Sequence, residues 1–193
     1  MNSRKNTRKP KTGFTLIELL IVVGIISVLI VVLAIAVLPW LSKSKNRATE
    51  TILSQIGTEM SGKKIAPTIT KFKKDAGEMS GRIAGDERTA SSQMMLFYMA
   101  PERSTWEGSA LYKGRNYEPT LQPESFAEFT RKEGGRLPYL VDAWDKVIWY
   151  EWDKQLKGGA IFSSGEDTVP GNDDDMIFDP RDMKVKTRAD MKK

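Results

Sequence analysis

The sequence predicts an α+β protein: one long N-terminal helix, apolar through its first half, packed against a small antiparallel sheet. Three observations carry that prediction. Residues 14–38 are almost continuously apolar. Apolar residues then recur at helical spacing as far as Met60. The C-terminal part holds short β-branched and aromatic runs set off by glycine-containing turns.

The apolar stretch FTLIELLIVVGIISVLIVVLAIAVL would form about 37 Å of helix, longer than the roughly 30 Å hydrocarbon core, so it can span a bilayer with some tilt. Its valines and isoleucines do not oppose a helix there, because an isolated segment in lipid must satisfy its own backbone hydrogen bonds. Pro39 and Trp40 follow where an aromatic anchor belongs. A cleaved secretory signal fits poorly, since its apolar core runs about 7–15 residues and ends at small side chains. Here the run is longer and gives way to Pro39, Trp40 and Leu41.

Ahead of the apolar stretch, residues 1–13 hold Arg4, Lys5, Arg8, Lys9 and Lys11 and no acid. This charge favours a cytoplasmic N-terminus, and Lys43, Lys45 and Arg47 on the far side weaken the bias without reversing it. The domain after Trp40 is therefore expected outside the cytoplasm. Those leader residues also account for the whole net charge of +5, leaving 25 basic and 25 acidic side chains elsewhere. No nucleic-acid surface is expected.

Cysteine and histidine are absent. That excludes disulfides, thiolate and imidazole metal sites, and nucleophiles activated by histidine. Neither a phosphate-binding loop nor a dinucleotide glycine fingerprint is present. A carboxylate pair is the only catalytic chemistry left, and no enzyme activity is expected. An exported domain of this composition must hold together by packing or by oxygen-ligated ions.

Beyond Trp40, Leu41, Ala48, Ile52, Ile56 and Met60 continue the helix, Gly57 and Gly62 weaken it, and Pro67 ends it or opens a second one. Residues 91–100, SSQMMLFYMA, predict a short helix capped by Ser91 or Ser92, with Met94, Met95 and Met99 as core filler. Residues 102–136 predict loops around a short helix at 125–131. VIWYEW at 147–152 and residues 160–163 predict a hairpin, with a further strand at 176–178. Trp144, Trp149, Tyr150 and Trp152 are assigned to the core, with sugar stacking as the other reading. The chain thus divides into a leader at 1–13, a membrane and assembly helix at 14–40, an extracytoplasmic domain at 41–180 and a polar tail at 181–193.

One residue stands out in the membrane segment. Glu18 places a carboxylate inside a lipid-facing helix, which costs several kcal/mol unless it snorkels, protonates or finds a partner. The string KTGFTLIELL resembles the prepilin cleavage and methylation motif of the type IV pilin-like superfamily: a glycine ending a basic leader, then Phe, then Glu four positions on. The resemblance implies a pilin fold, cleavage between Gly13 and Phe14 by a membrane aspartyl prepilin peptidase, and N-methylation of Phe14. It also implies assembly by a cytoplasmic ATPase and a polytopic platform protein. In a fibre, Glu18 of one copy would neutralise the Phe14 ammonium of its neighbour and set the register of an otherwise featureless apolar bundle.

The segment LVDAWDKVIWYEW is similar to the Asp-x-Trp-Gly-x-Pro-hydrophobic-x-Tyr stretch of major pseudopilins of type II secretion. It matches at Asp142, Trp144 and Tyr150, with Asp145 replacing glycine and Val147 replacing proline. Glu166, Asp167, Asp173, Asp174 and Asp175 cluster beyond it, a composition that suits either a solvated turn or an oxygen-ligated cation. FSSGEDTVPGNDDDMI resembles the calcium loop of the same proteins. The resemblance implies a structural calcium held by the carboxylates of Asp167, Asp174 and Asp175 and the backbone oxygens of Ser164 and Val169. Glu166 stands where a shorter ligand is common, and Thr168 replaces a glycine. Without the ion, the clustered carboxylates would repel one another.

The function implied is that of a structural subunit of a type II secretion pseudopilus in the bacterial inner membrane. It would polymerise with copies of itself and with minor pseudopilins to drive protein export. A type IV pilus subunit, major or minor, serving adhesion, motility or DNA uptake is the nearest alternative. The acidic loop and the lack of a C-terminal disulfide favour the pseudopilin. An alternative of another class is a signal-anchored binding module or hydrolase that never polymerises.

Overall fold

The computed structural model describes residues 14–62, 68–99 and 123–192. The chain falls into two compact units, Met1–Leu41 and Ser42–Lys193. Helix α1 (Leu16–Gly62) begins in the first and ends in the second, and Pro39 lies inside it.

In the first unit every described side chain is solvent-exposed within the isolated chain. The helix is long and apolar enough to cross a membrane. Ser27, within the apolar stretch, is satisfied internally, since its Oγ donates to the Val23 carbonyl at 2.8 Å.

The second unit is built on the other half of α1. Thr49, Ile52, Leu53, Ile56, Gly57 and Met60 are buried at three- and four-residue spacing, the stripe of an amphipathic helix. They meet Met95, Leu96 and Met99 from a later helix, Leu140, Ile161 and Phe178 from the strands, and Ile148 from just before a strand. Gly57, expected only to weaken the helix, has a packing reason. A Cβ there would fall inside the Phe178 ring.

Helix α2 (Ile69–Ala76) starts at Thr68, whose hydroxyl accepts the Lys71 N–H at 3.2 Å. It runs into a 3₁₀ turn, Gly77–Arg82. Helix α3 (Glu87–Met99) begins four residues before the predicted Ser91, because Asp86 serves as its cap by accepting the Thr89 N–H at 2.9 Å. Ser91 and Ser92 are therefore interior residues of α3, and both are buried.

Those two serines, with Gln93, replace strand pairing. Ser91 Oγ donates to the Tyr150 carbonyl at 2.6 Å and accepts the Tyr150 N–H at 2.7 Å. Ser92 does the same at Leu140, at 3.1 and 2.8 Å. Gln93 donates to the Leu137 carbonyl and accepts from the Ala84 N–H. Buried backbone groups must be paired, and here a helix pairs them. The methionines of α3 fill the core as expected, with Met94, Met95 and Met99 all buried.

After a 3₁₀ turn, Pro123–Phe129, the described chain forms two antiparallel sheets. The predicted helix at 125–131 is this turn, and its last two residues enter strand β1 (Thr130–Arg131), which pairs with β2 (Tyr139–Leu140). The main sheet has the order β3 (Trp149–Asp153), β4 (Gly158–Ser163), β5 (Met176–Asp179) and β6 (Lys184–Thr187), antiparallel throughout. The predicted hairpin is β3–β4, with Trp149 opposite Phe162 and Tyr150 opposite Ile161. Trp144 and Tyr150 pack against the core and Trp149 is buried, whereas Trp152 is 67% exposed.

The mixed α+β arrangement is thus as the sequence predicts. The segment expected as a polar tail, 181–193, instead forms β6 and a short helix α4 (Arg188–Met191). Alternation in Lys184–Thr187 is masked by lysine stems, which cover sheet edges while keeping their charge in water. Pro67 and residues 102–122 lie outside the described residues.

Candidate functional site

The first site is the start of α1. Phe14 is exposed, and Gly13 lies outside the described residues. Thr15 donates to Glu18 Oε2 twice, through its N–H at 2.8 Å and its hydroxyl at 2.7 Å, and its Oγ1 accepts the Glu18 N–H at 3.3 Å. This reciprocal pair is a capping box. Its signal, Thr-x-x-Glu at the mouth of an apolar run, stands in the sequence at Thr15–Glu18, and Thr15 is the residue the sequence reading missed. The box holds the carboxylate at the helix end where cleavage after Gly13 would expose the Phe14 nitrogen. A carboxylate there also suits the positive end of the helix dipole.

The second site lies between β4 and β5 and starts from the turn before β3. Asp142 is buried; its Oδ1 accepts the N–H groups of Trp144 and Lys146, both at 2.9 Å, and its Oδ2 accepts the Ser163 hydroxyl at 2.7 Å. Burial pushes the Asp142 carboxyl up against the pull of these donors. Asp142 therefore folds its own turn and ties it to the end of β4. Thr49 on α1 adds a further tie by accepting the Ala143 N–H at 3.2 Å.

Backbone angles at two substituted positions are informative. Asp145 and Thr168 are where the pseudopilin pattern carries glycine, and both have positive φ, 64° and 62°. Aspartate tolerates that conformation, and Asp145 also pairs with Arg131 at 2.7 Å. A β-branched threonine there is an outlier.

The acidic loop itself does not gather its carboxylates around one point. Among the described residues no group of three acidic side chains is placed to hold a metal ion. Asp167 accepts the Val169 N–H at 2.7 Å and the Asn172 amide at 2.5 Å, while Asp174 accepts the Asp167 N–H at 3.1 Å. Asp175 is fully buried and accepts from Gly171 N–H at 2.8 Å and from Arg188 Nε at 3.2 Å. Lys192 pairs with Asp173. Ser164 is buried and Val169 is exposed. Amide donors and two cations thus take up part of the expected repulsion within the chain. Two buried oxygens, Asn172 Oδ1 and Asp175 Oδ1, have no donor.

Residues 8–37 match the family described as the prokaryotic N-terminal methylation motif. The match covers the end of the basic stretch, the Gly13-Phe14 pair and most of the apolar run. That motif supports a type IV pilin-like protein processed by prepilin peptidase and assembled into pilin-type fibres. The long apolar helix that follows fits a membrane anchor. No curated protein and no solved structure matches the chain significantly.

Proposed function

We propose that this chain is a structural subunit of a type II secretion pseudopilus. It is made as a prepilin, held in the bacterial inner membrane with its N-terminus cytoplasmic and its second unit outside. Cleavage after Gly13 and methylation of Phe14 release it for polymerisation through α1, alongside minor pseudopilins and driven by the platform protein and its ATPase. The choice of pseudopilus over pilus is supported by one observation: the two positions at which the pseudopilin pattern carries glycine keep the left-handed backbone here, in Asp145 and Thr168. A left-handed backbone is the conformation that a glycine at those positions would permit.

Calcium in the acidic loop belongs to the same reading. A hard cation is one partner that would satisfy the free oxygens of Asp175 and Asn172, with Asp167 and Asp174 able to turn toward it from their present amide donors. The chain's residues fit such an ion in that respect only, since their carboxylates are now engaged elsewhere.

Mass spectrometry of the chain extracted from membranes tests the processing. The expected N-terminus is N-methylated Phe14. An intact Met1 end in cells that carry a prepilin peptidase would point instead to a signal-anchored module that never polymerises.

A further inference from the structure

We infer that the C-terminal helix α4 is a built-in cationic clamp, which closes the acidic loop without a metal ion. The clamp is made of both backbone and side chains. Arg188 N–H donates to the Asp175 carbonyl at 2.9 Å and Ala189 N–H to the Asp173 carbonyl at 3.0 Å. The Arg188 guanidinium then reaches the buried Asp175 carboxylate, and Lys192 takes the Asp173 carboxylate. Two consecutive amides and two cations of one short segment thus converge on two acids of the loop.

The segment is also anchored away from the acidic loop. Thr187 caps α4 by accepting the Asp190 N–H at 3.3 Å. Met191 packs against the apolar cluster of Trp149, Leu156, Ala160, Phe162 and Ile177 on one face of the sheet. Arg188 also lies over the Phe162 ring at 5.7 Å. Strand β6 delivers α4 to this place by pairing with β5, Met176 opposite Thr187, directly after the loop. Asp175 cannot reach water, so an unpaired charge there would be costly. Arg188 is the cation within hydrogen-bond reach of it.

This inference rests on the loop geometry and not on the fibre reading or on calcium. Hydrogen exchange of the full chain in detergent tests it, reading the peptides over 164–175 and 184–192 in chelator and in millimolar calcium. The wild-type loop should stay protected in chelator. Arg188→Gln should raise exchange of the loop amides in chelator by roughly tenfold or more, the range expected for losing a charge-assisted bond to a buried group. Arg188→Lys should keep part of the protection, because an ammonium supplies charge without the planar fork. Arg188→Gln combined with Asp175→Asn removes both charges and should recover protection, which a packing role for Arg188 would not allow.

Arg188→Gln as protected as wild type in chelator overturns the clamp, and so does a double variant no better than the single one. Calcium that rescues Arg188→Gln supports both the clamp and the ion. A loop exposed in Arg188→Gln that calcium leaves unchanged supports the clamp and removes the calcium proposal.

Discussion

The two halves of α1 share one backbone and obey different constraints. From Leu16 to Leu38 the side chains are apolar all round and exposed within the chain, so whatever covers them must come from outside it. From Thr49 to Met60 only one stripe is apolar, and the same molecule buries it. Composition in the first half answers to a solvent and to other copies of the chain. In the second half it answers to particular neighbours, Phe178 above all. The one charge in the first half and the one glycine in the second mark where those rules are broken. Glu18 and Gly57 are therefore the positions at which the comparison is best tested.

The largest effect is expected at Glu18. Replacing it by valine leaves a more continuously apolar segment that should insert at least as well, yet it removes the capping box with Thr15 and, on the proposed reading, the partner of a neighbour's Phe14 ammonium. Fibres should be abolished while membrane levels hold. Wild-type fibre yield from Glu18→Val would mean that the carboxylate is merely tolerated by the first half.

Gly57 breaks the second half. Alanine there gains helix propensity of about 1 kcal/mol but drives a methyl into the Phe178 ring, and overpacking of this kind usually costs about 1–3 kcal/mol. Thermal melting of Gly57→Ala should fall. Gly24→Ala, where nothing lies within 4 Å, should not lower it. Equal responses at the two glycines would erase the distinction between the halves.

The same contrast explains what was legible in the sequence. The first half and its motif could be read locally, because hydrophobic length, a basic leader and Gly13-Phe14 with Glu18 are properties of adjacent residues. The β3–β4 hairpin and the methionine core of α3 were legible for the same reason. What escaped were relations across the chain. Ser91 and Ser92 suggested a cap, yet they serve the backbones of Tyr150 and Leu140, roles that no local pattern encodes. Residues 181–193 gave a polar composition, and only the pairing of Lys184–Thr187 with β5 shows that they close the sheet. The acidic loop was visible as a cluster of charge, while the cations that pair with two of its acids lie beyond β5, in Arg188 and Lys192.

Buried carboxylates of the second unit sharpen the comparison through pH. Asp179 accepts from the N–H and guanidinium of Arg181 at 2.9–3.0 Å and from Lys186 at 3.2 Å, and Arg181 foremost holds its carboxyl well below the usual range. A depressed pKa contributes stability that is present above the unfolded value near pH 4 and is lost as pH falls toward the folded one. Asp142, raised by burial, has the opposite sign: its contribution is full at low pH and is lost as pH rises through its folded pKa. Asp179→Asn should cost about 1–2 kcal/mol at neutral pH, less than a fully buried pair because Arg181 and Lys186 reach solvent. The variant should also melt with a flatter acid slope than the parent. An unchanged slope below pH 4 would show that Asp179 is not the group whose protonation weakens the fold.

Thr168→Gly is a smaller change and goes the other way. Thr168 holds a φ of 62° in the acidic loop, where a branched Cβ meets its own backbone. The left-handed region costs an L-residue about 1–2 kcal/mol, which glycine avoids. Glycine also loosens the unfolded chain, which takes back about 0.4–1 kcal/mol. The net expectation is a gain of roughly 0.5–1 kcal/mol, a rise of a few degrees in melting temperature for a unit of this size. Asp145→Gly relieves a similar angle but gives up the ion pair with Arg131, so it should gain less. A net loss of stability on Asp145→Gly would show that the ion pair with Arg131 outweighs the relieved angle. A fall in stability on Thr168→Gly would mean instead that the threonine side chain supports the loop, and that the glycine of the pseudopilin pattern has no counterpart here.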